Sequence, residues 1–118
     1  MTDGAFDVRA TGSPESVADL VELSLRRSGW RVQRETPCGG TARAGNRAAH
    51  LVAGGLAPSH ALDWRVEPGP DATVRVALIR RSDGRFGGLL GRHRVRRRFD
   101  DAADAVRAML DERGLLAA

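Results

Sequence analysis

Two runs of alternating residues meet across a proline–glycine turn. Leu62, Trp64 and Val66 alternate with Asp63, Arg65 and Glu67. The segment Pro68-Gly69-Pro70-Asp71 then reverses the chain, and Val74, Val76 and Leu78 alternate with Thr73, Arg75 and Ala77. A period of two sends neighbouring side chains to opposite faces, so this pattern predicts an antiparallel hairpin with one dry face and one wet face. A dry face must be covered, and the remaining chain has to supply the cover.

Helical spacing provides it at two places. Val17, Leu20, Val21, Ser24 and Leu25 fall on one side of a helix over 14–28, with Ser13 as N-cap, Pro14 at the first helical position and Glu15 at the positive end of the dipole. Gly29 is placed to end that helix in the left-handed conformation. Near the C-terminus Val95, Phe99, Ala102 or Ala103, Val106 and Leu110 also recur at helical spacing. A helix over 101–113 follows, stopped by Gly114. The residues before it allow two readings. Arg92, Arg94, Arg96 and Arg98 alternate with His93, Val95, Arg97 and Phe99 as a strand would, with Asp100 then capping the helix, or 92–99 belong to one longer helix.

Short strands complete the sheet. Phe6-Asp7-Val8-Arg9-Ala10 and Trp30-Arg31-Val32-Gln33-Arg34 alternate, the second closed by a turn at Pro37-Cys38-Gly39-Gly40. A strand over 41–44 meets the hairpin signal Gly45-Asn46, and 47–52 is either its return strand or a helical turn. The prediction is an α+β domain: an antiparallel sheet of four to six strands in β-α-β-β-β-β-α order, with the N-terminal and C-terminal helices packed on one face. At 118 residues one domain over 1–118 is expected, large enough to bury a real core.

Charge is distributed unevenly. All nineteen basic residues are arginine, and against fifteen acids they give a net charge of +4. Within 80–98 eight arginines stand against Asp83 alone, a local +7, which leaves −3 for the remainder. A field of that kind draws anions within about a Debye length, ~8 Å. Arginine without lysine, with abundant alanine and glycine, also matches GC-rich coding, which weakens the inference of selected phosphate binding. Between the arginines lies Gly84-x-x-Gly87-Gly88-x-x-Gly91, without the lysine of a phosphate loop, and it is read as a flexible connection. Phe86, Leu89 and Leu90 sit among these glycines and either fold back over the domain or contact a partner.

Other chemistry finds little support. His50, His60 and His93 have no carboxylate or cysteine at ligand spacing, so no metal site and no cofactor are predicted. Asp63 follows His60 by three positions, a spacing that a strand points apart. Ser59, Ser82 and the turn residue Cys38 lack the motif of a nucleophile. A role other than catalysis is favoured. Acids near the start and the absence of any run of eighteen apolar residues lead to a cytoplasmic assignment.

The expected function is binding of an anionic or amphiphilic partner through 80–99, with Arg85, Phe86, Leu89, Leu90, Arg92, Arg94, Arg96, Arg97 and Arg98 as contacts. A lipid surface or an acidic protein face ranks ahead of nucleic acid, because aromatic residues for base stacking are few; a homodimer is a further alternative. The alternative function places Trp30, Trp64 and Phe99 around an apolar pocket under the last helix. Phe6-Asp7-Val8 followed by Ser13-Pro14-Glu15-Ser16-Val17, with 99–110 at the back, resembles the helix-grip proteins of the START or Bet v 1-like superfamily. That resemblance implies a curved sheet gripping the last helix around an apolar ligand, as in lipid carriers and polyketide cyclases. The chain is shorter than is usual there.

Overall fold

A computed structural model describes residues 5–44, 60–81 and 89–117, with side chains from 97 onward in the last segment. The elements are β1 (Ala5–Thr11), α1 (Pro14–Arg27), β2 (Arg31–Thr36), β3 (Gly39–Ala44), β4 (His60–Pro68), β5 (Thr73–Arg81) and α2 (Leu89–Glu112). The strands form one antiparallel sheet in the order β1-β5-β4-β3-β2. The α+β class and a strand number within the expected range are as the sequence predicts. The return strand or helical turn considered for 47–52 lies outside the described residues.

Register sorts the side chains. Leu62 stands beside Ala42, Val66 beside Val76, and Trp64 between Leu78 and Gly40. This face, with Val32, Val74 and Ala10, packs against Val17, Val21 and Leu25 of α1 and Phe99, Ala102, Val106 and Leu110 of α2 in one core. Both helices therefore cover the same side. Trp64 is fully buried, and its indole N–H donates to the Thr41 carbonyl at 3.3 Å, so the ring buries its area without an unpaired donor.

The caps follow local chemistry. Ser13 Oγ accepts from the Ser16 amide at 3.2 Å at the start of α1, and Gly29, with φ of 91°, turns the chain out of the helix. At the C-terminal end α2 runs to Glu112 and Gly114 follows with φ of 69°.

Two boundaries differ from the sequence prediction, and at a third the structure decides between two open readings. Gly39 and Gly40 belong to β3, and the turn narrows to Pro37-Cys38. A Cβ on Gly40 would stand 2.0 Å from the Gln33 carbonyl oxygen, so glycine serves there for close approach of two backbones. The β4–β5 reversal centres on Asp71 and Ala72, with φ of 56° and 59°, closed by the Thr73 amide donating to Pro70 O at 3.1 Å. The two successive left-handed residues make the tight reversal, inside a longer loop whose flanking register pairs Pro68 with Val74. Finally, 92–99 is helical, continuous with the rest of α2, and Asp100 lies inside the helix instead of capping it. The apolar spacing that continues through Phe99 outweighs the alternation of the arginines.

The two sheet edges are closed differently. Along β1, the Thr11 amide donates to Leu115 O at 2.7 Å, the Ala117 amide donates to Arg9 O at 3.0 Å, and Ala10 bridges Leu116. At β2, Arg26 donates to the Val32 carbonyl at 3.1 Å, and a register shift between Arg34 and Thr36 breaks the ladder. Arg34 also ties β2 to α1 through Asp19 at 2.6 Å. Such devices oppose edge-to-edge pairing with another chain.

Candidate functional site

Chain direction brings arginines to one pole of the domain. Helix α1 ends there with Arg26 and Arg27, β2 begins with Arg31, β3 ends after Arg43, β5 ends with Arg80 and Arg81, and α2 begins with its arginine-rich turns. Register fixes the row on the sheet: Arg31 lies opposite Arg43, Arg43 opposite Ala61, and Ala61 opposite Arg81. Among the described residues, Arg26 pairs with Glu22 at 3.0 Å and Arg81 with Asp63 at 3.0 Å. Arg27, Arg31, Arg43 and Arg97 are exposed and make no ion pair among the described residues.

The contacts expected from the sequence divide into three groups. Arg85 and Phe86 lie outside the described residues. Leu89, Leu90, Arg92, Arg94 and Arg96 occupy the first turns of α2, where the backbone alone is described. Arg97 is exposed, whereas Arg98 turns inward. Its Nη2 donates to the Ser28 carbonyl at 3.1 Å, and its Cζ stands 5.8 Å from the Trp30 ring centroid. A cation at the last carbonyls of α1 complements the helix dipole, and the indole face adds a cation–π contact. Arg98 thereby pins the third turn of α2 to the end of α1.

Beside it, His60 meets Trp30 edge-on, with ring centroids 6.4 Å apart. Its Nδ1 is buried and has no hydrogen-bond partner among the described residues. Burial, and then the nearby Arg98 charge, hold its pKa below the usual histidine value. Asp63 faces away, paired with Arg81 on the outer surface, so His60 and Asp63 form no catalytic couple. Among the described residues no three His, Cys, Asp or Glu side chains stand together as metal ligands, and no helix is long and apolar enough to cross a membrane.

Trp30, Trp64 and Phe99, proposed as pocket lining, are buried together in the core at 4%, 0% and 4% exposure. Arg27, Arg31 and Arg43 are absent from the contacts read off the sequence, being dispersed among α1, β2 and β3. The signal that could have found them is strand direction: in a meander, the start of β2 and the end of β3 are neighbours. No protein-family model matches the chain, and no curated protein sequence matches it.

Proposed function

We propose that this protein is a non-catalytic binding domain for an anionic or amphiphilic partner, engaged through the basic pole that includes the first turns of α2. One observation supports it above others: arginines from α1, β2, β3, β5 and α2 converge on a single end. Residues 89–98 hold five arginines and no acid, although a cation in the first helical turn, where Arg92 stands, is unfavourable by about 0.3–1 kcal/mol. A local arrangement that opposes helix stability is what a binding surface often requires. The alternative, a helix-grip-like ligand-binding protein or accessory enzyme, would use Trp30, Trp64 and Phe99. Their burial means that a ligand would have to part α2 from the sheet, and this places that reading second.

The test is the triple variant Arg94→Glu, Arg96→Glu, Arg97→Glu, which spares the inward-turned Arg98. Sedimentation with anionic and neutral vesicles, and titration with a short DNA duplex, are run at two salt concentrations. The expected result is salt-sensitive binding that falls at least tenfold in the variant, with an unchanged circular dichroism spectrum. Equal binding by wild type and variant refutes the proposal.

A further inference from the structure

We propose that the Arg31–Arg43 end of the outer sheet face binds the sugar–phosphate backbone of double-stranded nucleic acid. The inference rests on the anionic-partner reading and adds a second surface and a ligand class to it.

The outer face contains two directly opposed arginine pairs, Arg9 with Arg75 and Arg31 with Arg43. Like charges in that position destabilise a sheet. At the first pair, Arg75 meets Asp7 at 2.5 Å and Glu67 at 3.8 Å, so two carboxylates offset the repulsion. At the second pair no carboxylate lies within ion-pair distance among the described residues. The acids that β1 and β4 present on this face are engaged elsewhere: Asp7 with Arg75, Asp63 with Arg81, and Glu67 with Arg65 and Arg75. The next residues on this face of the two strands, Gln33 and Thr41, are opposed and polar, able to donate to an oxygen anion. On the other side Ala61 is small, and Arg81 follows at two strand spacings from Arg43, about 10 Å. Arg31 and Arg43 thus form a pair of cations with no counter-charge among the described residues, flanked by the neutralised Arg81.

Guanidinium forks match phosphate oxygens in pairs. The described outer-face positions carry no aromatic side chain, which removes the stacking platform that single strands use. Ile79, at 39% exposure, is the one large exposed hydrophobic residue among those described, too little for insertion into a bilayer. A duplex offers a long series of phosphates that can be held without touching a base.

The test compares a short DNA duplex, a single strand of equal length and anionic vesicles, using the full chain, the pair variant Arg31→Gln/Arg43→Gln and the control Arg9→Gln. Duplex binding is expected to be the tightest. The pair variant should weaken it at least tenfold and lower the slope of log affinity against log salt by about 1.8, two phosphates at about 0.9 each. Arg9→Gln should bind as wild type does. If the α2 triple variant loses duplex binding while the pair variant keeps wild-type affinity and slope, this inference fails and the α2 reading stands. Preference of the wild-type chain for vesicles or single strands overturns the inference as well. Absence of salt-dependent binding to all three refutes both readings.

Discussion

Ala72 holds a conformation that its side chain opposes. With φ of 59° it sits in the left-handed region, where a Cβ is unfavourable by about 1–2 kcal/mol, while Asp71 beside it tolerates that region better through its short polar side chain. Ala72→Gly removes that penalty at the expense of a more flexible unfolded chain, about 0.4–1 kcal/mol. The expected net gain is about 0.5 kcal/mol, read as a higher urea midpoint with unchanged slope. A lower midpoint would mean that the turn adapts to alanine. His60 leads to a second residue-scale prediction. Its pKa is held below the usual value by burial and by Arg98, so protonation is easier in the unfolded chain. The stability it contributes is complete above the unfolded value of about 6.5 and is lost as pH falls below it toward the folded value. Thermal unfolding followed from pH 7.5 down to pH 5 should show wild type losing stability through this window more steeply than His60→Gln. Identical slopes would refute the assignment. In the sequence, His60 was visible as a residue three positions before Asp63. Its actual neighbours, Trp30 and Arg98, come from β2's approach and from α2, separations over which spacing carries no information.

At the scale of elements, the hairpin of β4 and β5 and the helix α1 were legible because each is specified by its own residues. Alternation fixes the faces of the strands, and Ser13, Pro14 and Gly29 mark the ends of the helix. The double glycine was misassigned for a physical reason: glycine serves both turns and close strand contact, and Gly40 uses the second property. The start of α2 was ambiguous since its arginines alternate while its apolar residues follow the helix, and burial of Phe99 in the core decides the outcome. The proposed binding surface is half legible. Residues 92–98 announce themselves as a run, whereas Arg31 and Arg43 become neighbours only when β2 pairs with β3. The edge of β1 supports a further prediction. Removing residues 115–118 deletes the hydrogen bonds from Thr11 to Leu115 and from Ala117 to Arg9, and leaves that strand open. The shortened chain should remain folded and self-associate with rising concentration in sedimentation velocity, while the full chain stays at its original size. Equal behaviour would show that the tail does not guard the edge.

Across the whole molecule, charge and fold are aligned. Within α2, residues 89–98 carry +5 while 99–112 carry five acids against Arg107, so the helix is basic at one pole and acidic toward the other. Strand direction adds Arg27, Arg31 and Arg43 to the basic pole, and Arg98 fastens the two helices there. Arg98, through the Ser28 carbonyl and the Trp30 ring, ties α2 to the end of α1 at that pole. The opposite pole contains the contact between the chain's first strand and its last described residues. Thr11 and Leu115 touch across 104 positions, and β1 finds its neighbour only when β5 exists. During synthesis the N-terminal strand therefore emerges long before anything can pair with it. Closure of the sheet is a late event that depends on distant contacts, which slow folding through the entropy of large loops. A chain interrupted before β5 would present β1 unpaired, so the interval before β5 emerges is when this domain is most open to pairing with another chain.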